Sequence, residues 1–182
     1  MIIILPDNGG KLIIEPSRIS SFHLHRTKLA SLAHPGQALL QEPSMSDWDN
    51  LRSAFFMAHV IRHAAIGPFL YTLPGFRTEE LAPWDERGEV WRVLRVDFPG
   101  NVETPFQSHI AYFGPDGLLR RVQSKPDVLG GVELIEDVTR YESMNGLQVA
   151  SSRELFTCDS KGRRTDAASL GQIELRNFFF AD

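Results

Sequence analysis

Only one cysteine, Cys158, occurs in the chain. An internal disulfide is therefore excluded, and so is any zinc site built from several thiolates. Positive charge is not in excess: 19 Lys and Arg against 23 Asp and Glu leave a formal net charge of −4. A chain so balanced lacks the basic footprint of a nucleic-acid binder. No apolar run approaches the roughly 20 residues that a membrane-crossing helix needs. The apolar start Ile2-Ile3-Ile4-Leu5 is stopped by Pro6 and Asp7, with no Lys or Arg before Lys11. It reads as a strand rather than an export signal. Neither end carries a lipidation motif, and no internal repeat, low-complexity tract or linker divides the chain. The expectation is one domain over residues 1–182, working in the cytoplasm.

What is present is an ordinary globular composition. Hydrophobic residues are 42% and charged residues 23% of the 182 residues, which argues against disorder and coiled coil. A domain of this size buries about 70% of its unfolded surface without help from metals or disulfides. Asp7-Asn8-Gly9-Gly10 separates Ile2–Leu5 from Leu12–Glu15 with residues that accept positive φ, so these two strands are expected to pair as a hairpin. Residues 17–45 settle into no single period, and Pro35-Gly36 and Pro43 mark loops there.

The clearest element starts near Trp48. Ser46 is placed to cap a helix, and Asp47 and Asp49 put negative charge at the positive end of its dipole. Leu51, Phe55, Ala58 and Arg62 follow at helical spacing, while Phe56, Met57, Val60 and Ile61 occupy the other sides. A helix apolar nearly all round has to be covered nearly all round. Gly67-Pro68 is read as its end. Beyond it, six strands are expected: Val90–Phe98, Gln107–Phe113, Leu118–Ser124, Leu134–Glu142, Leu147–Thr157 and Gln172–Phe180. The breaks between them are rich in Gly, Asn, Asp and Pro. Their spacing leaves no room for crossover helices, so the strands form an antiparallel meander. Trp91, Val93 and Arg95 alternate with Arg92, Leu94 and Val96, and neither set is fully polar, so this strand is covered on both sides. Arg120, Arg121, Arg153 and Glu154 read as charge turned outward. The fold class is α+β: a curved antiparallel sheet, a half-barrel, wrapped around a central apolar helix.

Two stretches carry a family likeness. Pro68-Phe69-Leu70-Tyr71-Thr72-Leu73-Pro74-Gly75-Phe76 leads through Glu79-Glu80-Leu81 and Trp84 to Gly88-Glu89-Val90-Trp91-Arg92-Val93-Leu94. Tyr112-Phe113-Gly114-Pro115-Asp116-Gly117-Leu118-Leu119-Arg120-Arg121 is followed by Val128-Leu129-Gly130-Gly131. Together they resemble a bacterial family of unassigned activity related to the lipoprotein-carrier (LolA-like) half-barrel. The resemblance covers about residues 46–180. It implies the half-barrel with helices inside it and names no chemistry. The start departs from the pattern: the N-terminal helix and early strands of that family look reduced here, which would leave an open sheet edge for self-association.

Chemistry-bearing residues are sparse. His59 and His63 stand at i and i+4, a spacing two zinc ligands on a helix use. Val60 replaces the Glu of the metalloprotease motif, however, and no third ligand follows in sequence, although His23, His25, His34 and His109 are elsewhere in the chain. No metal and no cofactor is expected. Cys158 sits beside Asp159, with nothing in sequence to lower its pKa. Gly130-Gly131 and Gly9-Gly10 lack the strand–loop–helix setting and the Lys-Ser or Lys-Thr of a phosphate loop. Asp85, Glu86 and Glu89 cluster around Gly88 as turn chemistry. The leading function is non-catalytic binding of a small apolar molecule or acyl chain between sheet and helix, lined by Phe55, Phe56, Met57, Phe69, Tyr71 and Trp91. Two alternatives remain: a small cofactor-free enzyme using His59, Arg62 and His63 as proton-transfer and anion-holding groups, and an interaction module with a filled core and no ligand.

Overall fold

The computed structural model describes residues 2–4, 10–15, 17–23, 27–41, 48–100, 102, 104–159 and 161–176. They gather into two compact units. The first holds residues up to Val60 with Glu103–Pro105 and Asp127–Gly130, and the second holds most of the remainder from Ile61 onward.

In the first unit, β1 (Ile2–Ile4), β2 (Lys11–Glu15), β3 (Arg18–Phe22) and β4 (Lys28–Ala33) form an antiparallel sheet in sequence order, followed by the short helix α1 (Pro35–Gln41). The expected first hairpin is there, with Ile2 opposite Ile13 and Ile4 opposite Lys11. Its turn, Asp7–Gly9, lies outside the described residues. Strands β3 and β4 and helix α1 fill the stretch whose sequence followed no period. Ile19 is fully buried, but β4 is exposed along almost its whole length, so no alternation marks it.

The long helix α2 runs Asn50–Leu70. The expected cap Ser46 and its neighbour Asp47 lie outside the described residues. Asp49 does cap the helix: its Oδ1 accepts from the Arg52 backbone N–H at 2.9 Å, and its Oδ2 pairs with the Arg52 guanidinium at 2.7 Å. Leu51, Phe55, Phe56, Ala58 and Val60 are buried, as an all-round apolar helix requires. Gly67-Pro68 does not end the helix, contrary to the reading above. Pro68 stands inside it. A proline there has no N–H for the carbonyl four residues back, that of Ala64. The Arg153 Nη2 donates to that Ala64 oxygen at 2.7 Å. A tertiary contact thus replaces the missing helical bond, and the helix continues.

The second unit is built on a seven-stranded antiparallel sheet in the order β11-β10-β9-β8-β7-β6-β5. Its strands are β5 (Arg77–Glu86), β6 (Glu89–Asp97), β7 (Ser108–Phe113), β8 (Leu119–Ser124), β9 (Leu134–Met144), β10 (Leu147–Thr157) and β11 (Gly171–Glu174). This is the expected meander, open at β5 and β11, with one strand more than the sequence reading supplied. Strand β5 was missed because it is a charged edge interrupted by Pro83. The proline is absorbed where the register shifts between Leu81 and Trp84, a bulge on an edge being where a strand tolerates a missing donor. Asn145-Gly146 and Arg87-Gly88 close two hairpins, with both residues of each pair at positive φ, the backbone that two-residue turns demand. The expected last strand is shorter than read, and Phe178-Phe179-Phe180 lie outside the described residues.

Both faces of this sheet carry buried apolar side chains. On one face Val96, Ala111, Leu119 and Val122 form a buried cluster with Tyr71, Phe76, Leu94, Phe98, Phe113 and Val138 against it. Residues 61–70 of α2 lie on this side: Ala64 is held by Arg153, and the His63 ring stacks on Phe98 at 5.0 Å. On the other face Trp91, Val93 and Tyr112 pack with Leu81, Trp84 and Ile110. Among the described residues no helix is long and apolar enough to cross a membrane.

Candidate functional site

The helix-side face of the seven-stranded sheet carries the features most suited to a ligand. A cleft of about 170 Å³ opens between the end of α2 and strands β7–β10. Ala64, Ala65, Pro68 and Phe69 supply the helical wall, and Leu119 and Val149 are among the sheet residues facing them. Small residues at 64 and 65 keep this wall shallow. Phe69 is exposed. The Arg153 side chain, only 2% exposed, reaches into the cleft lining.

Behind the cleft lies a buried polar group. Arg153 also lines a tight void of about 10 Å³ with Tyr71, His109, Ser124 and Glu136, room for one water molecule at most. The Arg153 Nη1 reaches the Glu136 carboxylate at 3.5 Å, the long limit of a hydrogen bond. Arg153 Nε, Tyr71 Oη and His109 Nε2 are buried and have no hydrogen-bond partner among the described residues. Burial pushes the Glu136 carboxyl up, with the Arg153 charge pulling the other way. Burial, helped by the Arg153 charge, pushes His109 down to about 3. Burial likewise raises the Tyr71 phenol. At neutral pH His109 and Tyr71 are uncharged beside the Arg153 guanidinium.

The opposite face holds a second, open groove of about 840 Å³. Arg121 and Asp137, which line it, end a register row: Val93 pairs with Tyr112, Tyr112 with Arg121, and Arg121 with Asp137. Arg121 contacts Asp137 at 2.6 Å and Glu86 at 3.4 Å, and lies over the rings of Trp91 and Tyr112. The Trp84 and Trp91 indole N–H groups donate to Glu86 and Glu89. The acidic residues around Gly88 therefore do more than shape a turn, though Asp85 does accept from the Gly88 N–H. Five arginines and five carboxylates line this groove, so its charge is balanced.

The residues singled out from sequence are scattered by this arrangement. Of the six expected lining residues, Phe69 lines the cleft and Tyr71 lines the void behind it. Trp91 does not face the helix. Its position in the β6 alternation puts it on the far face with Val93. Phe55 and Phe56 are buried in the first half of α2, and Met57 is exposed. Of the acid–base candidates, His59 is buried with its ring edge-on to Phe55 at 4.4 Å, Arg62 is exposed, and His63 is buried beside Phe98 and Phe106. Consecutive turns of one helix carried them to different surroundings. Among the described residues no group of three or more His, Cys, Asp or Glu gathers as metal ligands. Cys158 lies near Glu133, Sγ to Oε2 3.7 Å, and burial with that carboxylate raises its thiol to about 11.

Arg121 and Arg153 are corrections to the sequence reading. Both were read as outward charge, and both are buried. Each has an acidic partner on the neighbouring strand, which is how a charge enters a sheet face. The signal was present in β9, where Glu136 and Asp137 follow Leu134 and Ile135: two adjacent carboxylates necessarily point to opposite faces.

No family model matches this sequence. The search of curated proteins likewise gave no match. The structure is similar to the crystal structure of a LolA superfamily protein from Nitrosomonas europaea. The likeness covers 97% of this chain and 72% of the other, with a TM-score of 0.50 and 10% sequence identity. At that identity the likeness is one of fold: the chain has a LolA-like fold, an open antiparallel half-barrel with a main helix.

Proposed function

We propose that the chain binds, without catalysis, a small apolar molecule or a single acyl chain in the cleft between residues 64–69 of α2 and strands β7–β10. The observation that carries this reading is the cleft itself, about 170 Å³ and walled by Ala64, Ala65, Pro68 and Phe69. Pockets for drug-sized ligands run from roughly 300 to 1,000 Å³, so this one suits one chain rather than several. Each methylene buried contributes about 0.8 kcal/mol, so roughly six would contribute about 5 kcal/mol. That corresponds to dissociation constants on the order of 0.1–1 mM before any polar contact is added. The likeness to a LolA superfamily protein supports the reading at the level of fold. The proposal sets this binder in the cytoplasm, in keeping with its one unpaired thiol, Cys158.

The test is extraction of the purified protein with mass spectrometry, together with titration by an apolar fluorescent dye and its displacement by decanol. The expected result is saturable dye binding reversed by decanol and lost in Ala65→Trp, which fills the cleft. Absence of both a co-purifying lipid and dye binding to the folded protein would overturn the reading.

A further inference from the structure

We propose that the ligand of this cleft is a carboxylate amphiphile, its head group received by Arg153 and its chain lying along Ala64, Pro68 and Phe69. This rests on the apolar-cleft reading and deepens it by naming the head group.

The starting point is an arginine with unused capacity. A guanidinium offers five N–H donors in a planar fork. Here Nη2 is committed to the Ala64 carbonyl at 2.7 Å, Nη1 has a long contact to Glu136, and Nε has no partner among the described residues. Tyr71 Oη and His109 Nε2 are also unpartnered and buried, and all three residues line the same void. A buried donor without an acceptor is costly, and Arg153, which lines the cleft as well as the void, holds one in its Nε. Gly67 packs beside Tyr71 and Arg153. A Cβ built there would stand 3.7 Å from Tyr71 Oη and 4.0 Å from Arg153 Nη2.

The void is too small for a carboxylate, at about 10 Å³. The cleft is not, and among the described residues Arg153 is its one cationic lining residue. A head group entering with its chain therefore meets the guanidinium from the cleft side. The planar fork favours a planar acceptor that can take two parallel N–H bonds. One cation in a low-dielectric chamber favours one negative charge over the two of a phosphate monoester. Glu136 does not block this. Its contact with Arg153 Nη1 is long, at 3.5 Å, and leaves Nε without a partner among the described residues.

The experiment is calorimetric titration of the full chain with decanoate, decanol and decyl phosphate, for the wild type and for Arg153→Met combined with Glu136→Gln. Removing both charges together avoids stranding one in the core. The wild type is expected to bind decanoate at least about tenfold more tightly than decanol or decyl phosphate. In the double variant, decanoate and decanol should agree within about twofold, with decanol affinity retained. Equal binding of decanoate and decanol by the wild type would overturn the head-group assignment and leave the apolar cleft standing. Tighter binding of decyl phosphate would overturn it too. Binding of none of the three would remove the cleft reading and this inference with it. The wild-type comparison decides even if the double variant fails to fold.

Discussion

Arg121 and Arg153 project from opposite faces of one sheet and are buried almost equally, their side chains 4% and 2% exposed. Their surroundings differ sharply. Arg121 is bracketed by Asp137 and Glu86 and lies over two aromatic rings. Its carboxylate partners are themselves 20% and 25% exposed, so water shares the charge. Arg153 has one distant carboxylate, itself 7% exposed, and one helix carbonyl. The first arginine is satisfied by its own chain and fastens the outer face. The second is only partly satisfied, and it stands where the cleft is. Burial alone does not mark a functional charge. What sets Arg153 apart is unused hydrogen-bonding capacity beside a cavity.

The sharpest way to break this contrast is to remove each arginine in turn. Arg153→Met strands Glu136 in the core and leaves the Ala64 carbonyl without a donor, so urea unfolding should report a loss of about 3–5 kcal/mol. Adding Glu136→Gln should recover most of it. If the single variant is as stable as the wild type, Arg153 is not the buried partner described here.

Acidification should separate the faces as well. His109, on the helix side, has its pKa depressed from 6.5 to about 3. A base held neutral in the fold contributes stability that is intact above its ordinary pKa and lost as pH falls from about 6.5 toward 3. Glu136 acts in the opposite sense: its raised pKa makes its contribution largest in acid and smaller as pH rises through the raised value. His109→Gln should therefore flatten the acid limb of the stability curve. A limb of unchanged slope would contradict the burial of a neutral imidazole.

Arg121→Met should cost less, about 1–3 kcal/mol, because Glu86 and Asp137 can rehydrate. A loss matching that of Arg153→Met would erase the distinction between the two faces.

The smallest expected effect is at Pro68. Replacing an interior helical proline by alanine ordinarily gains about 3 kcal/mol. Here the Ala64 carbonyl already accepts from Arg153, so Pro68→Ala should gain less than about 1 kcal/mol. A full gain would mean that the Arg153 contact does not replace the helical bond.

The same contrast explains what could be read in advance. The meander was legible because Gly-rich and Asn-Gly turns separate strands of strong β character, and β10 was bounded correctly at Leu147–Thr157. Helix α2 was legible from its apolar spacing. Its end was not, because Pro68 breaks helices unless something distant takes up the freed carbonyl, and the residue that does so lies 89 positions away. Strand β5 was hidden by its charge and by Pro83. The lining of the cleft was legible only at Phe69 and, behind it, Tyr71. Trp91 misled because an aromatic on a strand announces burial but not which face it serves, and Arg153 misled because a charge on a strand ordinarily faces water.

The most direct test of the central claim, that the helix-side cleft rather than the outer groove holds the ligand, is an NMR titration of the labelled protein with decanoate. The account predicts saturable shifts in the backbone amides of Ala64, Ala65, Phe69, Leu119 and Val149, with the Trp84 and Trp91 indole signals unmoved. Shifts confined to those two indoles, with the amides of the cleft unchanged, would contradict it.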